Sequence, residues 1–419
     1  VQDTSPVDGF APLSQAFAQD PYPAYAALRA QPQPTYFADA DLWLLSRFDD
    51  VDRAARSPQM VRDPGQIMAP EKLRDLRREA NWNDMPHHER FVQFSLLETD
   101  GAVHDRLRRI VLRDLARTGT ERYLPMIEGH IDDLLDRLLE SDEFDVVTDL
   151  AAPLPGHIIG QVLGVPAADC PQLRSWSENI VQFFNVGRTA EDKALAEAAT
   201  TEFYFYLSAL IVDRENTGQD DLLAVLMRAR DAGQLSADEL ISTCMLILMA
   251  GHGSTIDVIG TGFLALLQHP EQQARWRAQP DLTATAVQEL FRYESPLPFF
   301  HRYSTAPTSF GGRTFPAGTK FGLLYGSANR DETVFPRASA LDLARQPNRH
   351  LAFGRGAHLC LGNHLARLEL GILFGALFER TTRLEAIDSE PAYKVGLSER
   401  GLERLPVRVT RRARAGGTA

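Results

Sequence analysis

The sequence predicts a mainly α-helical fold with small peripheral β sheets, and three observations carry that prediction. Apolar residues recur at i, i+3, i+4 spacing along most of the chain. One helical segment, 237–268, is apolar on every side between Ile241 and Gly251, which demands burial or a membrane. Strand signals, by contrast, are short and scattered.

In chain order, helical period runs through 20–29, 102–116, 121–140, from 161 onward, 201–215, 237–268, 270–278, 283–293 and 361–378. Short strands are expected at 43–46, 302–304, 311–315, 320–325 and 404–409. Residues 314–319 (Thr-Phe-Pro-Ala-Gly-Thr) read as a hairpin turn, with Pro and Gly supplying the backbone angles. The apolar part of 237–268 before Gly251 is too short to cross a bilayer, so this segment should run through the centre of the protein.

No Pro/Gly/Ser-rich linker, repeat or low-complexity stretch divides the chain. A single domain is therefore expected over 20–409, with an N-terminal extension at 1–19 and a basic, disordered tail at 410–419. A hydrophobic share of 44% with 24% charged residues is that of a globular protein. The net charge of −12 argues against a nucleic-acid partner. Residues 1–20 are polar and proline-bearing, so neither a secretory leader nor a membrane anchor is expected there. Cys170, Cys244 and Cys360 cannot build a disulfide framework and suit a reducing cytoplasm.

The chemistry concentrates in residues 353–362, Phe-Gly-Arg-Gly-Ala-His-Leu-Cys-Leu-Gly, just before a helix. Gly354, Gly356 and Gly362 let the backbone bend and approach a flat object, and a thiolate at Cys360 would gain from the helix N-terminus. Four readings compete for this cysteine. A zinc site needs more Cys/His ligands than His358 and His364 offer. A nucleophile needs a histidine base and an oxyanion hole. A buried structural thiol leaves the glycines unexplained. An axial thiolate to haem iron fits best.

At this point the segment resembles the haem-binding loop of the cytochrome P-450 family, F-x-x-G-x-x-x-C-x-G, through Phe353, Gly356, Cys360 and Gly362. Other family motifs follow in order from about 20 to 409. Glu289-x-x-Arg292 with Arg345 resembles the family's buried ion-pair network. Thr99-Asp100-Gly101-Ala102-Val103-His104 with Arg108 resembles D-P-P-x-H-x-x-x-R, with Gly101 and Ala102 in place of the prolines. The resemblance implies a long central helix over a buried haem b, ligated by Cys360 and cradled by Phe353, Gly354 and Gly362. It also implies that His104, Arg108, Arg302 and His358 hold the propionates.

One motif departs from the family. Met249-Ala250-Gly251-His252-Gly253-Ser254-Thr255 resembles A-G-x-[DE]-T, in which an acid and an alcohol deliver protons to oxygen. Here Gly253 stands at the acid position and Ser254 at the alcohol position, with Thr255 as the alcohol in a shifted register and Ala250 opposite the oxygen site. Asp257 is expected to face away. By position, the resemblance assigns Phe91, Phe94, Val181, Phe184, Leu246, Leu297, Phe299, Phe300 and Leu402 to an apolar substrate pocket without a charged anchor.

The implied enzyme is a monomeric, cytoplasmic haem-thiolate monooxygenase that inserts one atom of O₂ into a compact apolar substrate, by hydroxylation or O-dealkylation. Its electrons would come from a ferredoxin or flavodoxin and that partner's NAD(P)H reductase, docked on the basic stripe Arg106, Arg109 and Arg113. The missing acid at Gly253 leaves a peroxygenase, coupling or rearrangement enzyme as the alternative. A haem-based sensor or binding protein is a third reading.

Overall fold

The apolar segment at 237–268 organises the protein. A computed structural model describes residues 9–79, 84–184, 188–215, 218–388 and 390–413. In it Ile241 to Met249 and Thr255 to Leu266 are buried without interruption. The segment is two helices rather than one: Ala237–Ala250, opened by a Ser236/Glu239 capping box, and Gly253–Gln268. The break has a packing cause. A Cβ on Gly251 would lie 2.5 Å from Ile159 Cγ1 and 2.7 Å from the Ile247 carbonyl oxygen. Only glycine lets the backbone come so close to the neighbouring helix Leu154–Leu163. His252 then leaves the helical region (φ −122, ψ −50).

Around this axis pack Leu124–Leu138, Cys170–Gln182, Ala190–Arg214, Thr283–Tyr293 and Asn363–Arg380, sharing one hydrophobic core. Three helical expectations need correction. The helix expected from 161 onward ends at Gly164, whose φ of +97 is a left-handed stop. The helix expected at 201–215 begins at Ala190, behind a Thr189/Asp192 capping box. The helices Phe48–Arg56, Pro70–Glu79, Pro86–Phe94 and Leu222–Asp231 were not anticipated, each being only about three turns long.

The β structure is peripheral. Thr35–Phe37, Leu42–Leu45, Lys320–Leu324, Phe299–Ser304 and Met60–Val61 lie side by side in that order. The pair Leu42–Leu45 with Lys320–Leu324 is parallel, and the other pairs are antiparallel. A second sheet orders Glu143–Asp145, Pro406–Arg411 and Thr381–Ala386. The hairpin pairs Thr308–Phe310 with Arg313–Phe315 and turns at Gly311-Gly312, both at positive φ. The turn expected within 314–319 is a second one, with the Thr319 N–H on the Pro316 carbonyl and Gly318 at φ +84, and it leads into Lys320–Leu324. Thr410 and Arg411, expected in a disordered tail, complete a strand, and Arg411 pairs with Asp142 at 3.1 Å. Of the N-terminal extension, Gln15–Gln19 is a helix whose Phe17 is buried against Tyr25. Residues 1–8 and 414–419 lie outside the described residues.

Candidate active site

The glycine-hinged loop is held from both ends. The Leu351 N–H donates to Asn329 Oδ1 at 2.6 Å, and the Cys360 N–H donates to the Phe353 carbonyl at 2.9 Å. Gly356 sits at φ +70, and a Cβ there would stand 2.4 Å from the Ala55 carbonyl, so the position requires glycine. Phe353 packs against Phe291 with ring centroids 4.4 Å apart, and the Arg367 guanidinium lies over its ring. At Gly362, by contrast, a Cβ would meet nothing within 4 Å.

Cys360 lies deep among protein atoms, yet its side chain is exposed. That combination belongs to a thiol facing an internal space. Burial pushes its pKa up, against the Gly362 N–H, the Arg108 and Arg367 guanidiniums and the Asn363 N–H, which favour the thiolate. A metal ion would complete the deprotonation. Among the described residues no three His, Cys, Asp or Glu side chains gather as a metal site, which removes the zinc reading.

A buried cationic cluster stands beside the loop. Arg108 donates to the Leu359 carbonyl at 2.5 Å, and the His104 and His358 rings lie 4.4 Å apart. His358 Nε2 meets Asp100 Oδ1 at 2.8 Å. Burial holds His358 down at about 4, in spite of Asp100, so the imidazole is neutral. Arg302 is buried near Asp100 and Glu98. The structure adds two members that the sequence reading passed over, Asp100 as the partner of His358 and Arg62. Arg62 pairs with Glu98 and donates to the His301 carbonyl at 3.2 Å. Three guanidiniums, Arg62, Arg108 and Arg302, thus stand against two enclosed carboxylates, Glu98 and Asp100, while Asp105, 3.3 Å from His104 Nδ1, is exposed to solvent. Arg62 Nε and His104 Nε2 are buried without a partner among the described residues. Such an imbalance calls for an anion from outside the chain, and haem with its two carboxylates and thiolate-seeking iron fits this donor set.

Glu289, Arg292 and Arg345 come together beneath the loop. Arg292 grips Glu289 through two bonds of 2.8 Å, Arg345 Nε reaches both Glu289 oxygens at 3.1 Å, and Asn348 joins at 3.0 Å. The remaining guanidinium N–H groups go to carbonyls of Asn329, Pro336, Ala338 and Ala340.

The central segment opens at its break. Ala250 is exposed, and Gly251, Gly253 and Ser254 are half-buried, between buried Met249 and buried Thr255. Of the two candidate alcohols, Thr255 is a buried residue, and the half-buried Ser254 is the more accessible. Asp257 is wholly buried and pairs at 2.8 Å with the partly exposed Lys394. A Cβ on Gly401 would overlap its carboxylate, so Gly401 makes room for it.

The apolar candidates divide. Phe94, Val181, Phe184, Leu297 and Phe300 stay partly exposed. Phe91 and Leu246 are packed into the main core, and so is Leu402, which lies against Gly260. Phe299 turns to the far side of the sheet among Phe17, Tyr25 and Leu42. Glu399 Oε1 lies 3.7 Å from the place a Cβ on Gly253 would take. Of the basic stripe, Arg106 is engaged by Glu239 at 2.6 Å, while Arg109 and Arg113 stay exposed.

A protein-family model described as Cytochrome P450 matches residues 192–388. Cytochrome P450 107B1 of Saccharopolyspora erythraea is 35% identical, covering 97% of this chain and 99% of its own length. The solved structure of CalO2 superposes with a TM-score of 0.88 at 31% identity, over 96% of this chain and 98% of its own. P450BioI, solved with an acyl carrier protein ligated to hexadec-9Z-enoic acid, gives a TM-score of 0.87 at 31% identity, over 94% and 100%.

Proposed function

The chain belongs to the cytochrome P450 family of haem-dependent monooxygenases, and on that premise we propose that it hydroxylates or O-dealkylates a compact apolar substrate, using O₂ and electrons from a ferredoxin-type partner. The observation that carries this reading is Cys360, a deep yet exposed thiol between N–H donors and guanidiniums. When bound, haem b supplies oxygen activation and one-electron chemistry.

The chain's own residues do the rest. Cys360 would hold the iron through its sulfur, where Arg108 and the Gly362 and Asn363 N–H groups favour negative charge. His104, Arg108, Arg302 and His358, joined by Arg62, would take up the propionates, with Asp100 fixing the orientation of His358. Phe94, Val181, Phe184, Leu297 and Phe300, partly exposed and apolar, position the substrate and exclude water. Ser254, the accessible hydroxyl at the break, passes protons into the cavity. The acceptor of the partner's electrons is the face carrying Arg109 and Arg113. Reduced cysteines support work in the cytoplasm.

The decisive experiment is the carbonyl spectrum of the reduced protein. The wild type should show the red-shifted Soret band of a thiolate ligand, and Cys360→His should move it to the histidine-ligated position. A wild-type band already at the histidine position overturns the reading. Gly253 in the acid position supports a second reading, peroxygenase or coupling chemistry. Turnover on hydrogen peroxide that exceeds turnover on NADH, reductase and ferredoxin would select it.

A further inference from the structure

The loop 391–403 folds back on itself. The Lys394 N–H bonds the Gly401 carbonyl at 2.9 Å, and the Glu403 N–H bonds the Ala392 carbonyl at 2.9 Å. Its tip is locked by Arg400, which pairs with buried Glu294 at 2.5 Å and donates to the Ala18 carbonyl at 2.7 Å. That lock presents Glu399 to Gly253, with Oε1 3.7 Å from where a Cβ would stand. Gly253 has no side chain to compete for the space, and Ser254 follows it directly.

Glu399 lies within electrostatic reach of three other charged groups. Asp257 is wholly buried, with Oδ1 on Lys394 Nζ at 2.8 Å and Oδ2 unpartnered among the described residues. Lys394 is 39% exposed, and Glu178, paired with Arg174 at 2.7 Å, is 46% exposed. Both are in contact with water. Asp257, Lys394 and Glu178 all act on Glu399 electrostatically. His252, buried at the break, donates from Nδ1 to the Leu248 carbonyl at 3.1 Å and is held neutral by burial. Glu399 has no hydrogen-bond partner among the described residues, so its carboxyl group is free to exchange a proton with the space beside Gly253.

We propose that Glu399 supplies, from the C-terminal loop, the proton-holding carboxyl group that the central helix lacks at Gly253. The inference rests on the monooxygenase reading above. Burial, with Asp257 and Glu178 nearby, pushes the Glu399 carboxyl up to about 7, so it carries a proton below neutrality. The Oε–H bond breaks as the proton passes to the Ser254 hydroxyl, or to a water beside it, and that group in turn releases its own proton into the space beside Gly253. Solvent then returns a proton to the carboxylate, since Glu399 is only half-buried. No electrons move in this step. Glu399 acts through another group and is thus a positioning and relay residue.

The test uses purified holoprotein. In infrared difference spectra, a protonated-carboxyl band should vanish as pH rises through about 7, and Glu399→Gln should lack it. Oxygen consumption driven by NADH, reductase and ferredoxin, with no added substrate, should fall with the same pH dependence. Glu399→Gln should lower it about tenfold or more at pH 6 and flatten the profile. Glu399→Asp should keep the profile, and Gly253→Asp in the Glu399→Gln background should restore it. An unchanged rate and profile in Glu399→Gln, or a carboxyl band that persists in it, overturns the proposal. The thiolate-type carbonyl spectrum should be the same in all four proteins. Its absence from the wild type overturns the haem-thiolate reading itself, whereas its presence beside an inert Glu399 overturns this proposal alone.

Discussion

Glu289 is wholly buried and accepts hydrogen bonds from Arg292, Arg345, Asn348 and the Asp342 N–H. Removing its charge leaves two buried guanidiniums undercompensated. Glu289→Gln should therefore cost about 3–5 kcal/mol, read as a lower urea midpoint and loss of haem during purification. His350 makes the pH case. Burial, with Arg367, Arg355 and Arg292 nearby, holds it down at about 3 from an ordinary 6.5. The unfolded chain then binds a proton that the folded one refuses, so His350's contribution is complete above 6.5 and is lost as pH falls toward 3. At pH 5 the loss amounts to about 2 kcal/mol. Stability measured from pH 7 to 5 should fall less steeply in His350→Gln, and an equal slope would refute the assignment. At this scale the sequence reading succeeded where partners lie close in the chain, as with Glu289 and Arg292. Glu399 escaped it because Ser398-Glu399-Arg400 reads as an ordinary solvated loop, and nothing local reveals that Arg400 is anchored by Glu294.

Among the elements, the interruption of the central helix is the informative one. Hydropathy is equally high on both sides of Gly251, so periodicity runs through it unbroken. The cause is Ile159 on another helix. Gly251→Ala should destabilise by about 1–3 kcal/mol through overpacking, and Ile159→Ala in the same protein should recover part of that loss. A Gly251→Ala protein as stable as wild type would show that the close approach relaxes freely. The stop at Gly164 was legible in principle, since a glycine after Leu163 is a helix C-terminus signal. The turn at Gly311-Gly312 carried a similar signal, but Pro316 and Gly318 competed with it.

For the whole molecule, the acidic net charge conceals a local basic face. Arg106 is taken by Glu239, which leaves Arg109 and Arg113 exposed on the helix Gly101–Leu115. Reversing both charges, Arg109→Glu with Arg113→Glu, should raise the KM for an acidic ferredoxin several-fold at low salt while leaving the carbonyl spectrum intact. The difference should shrink as added salt screens the encounter. A KM unchanged at low salt would place the docking face elsewhere.

The sequence by itself determined the helical class, the burial of the 241–251 stretch, the thiol-bearing loop and the Glu289–Arg292 pair. Each depends on spacing within a few turns of chain, where side-chain direction follows from backbone period. Tertiary structure alone decided the break at Gly251, the meeting of Asp100 with His358, the loss of Arg106 to Glu239 and the delivery of Glu399 to Gly253. Those are contacts between residues far apart in the chain, fixed by how buried surfaces pack and how buried charges find partners. A pattern of hydropathy records neither.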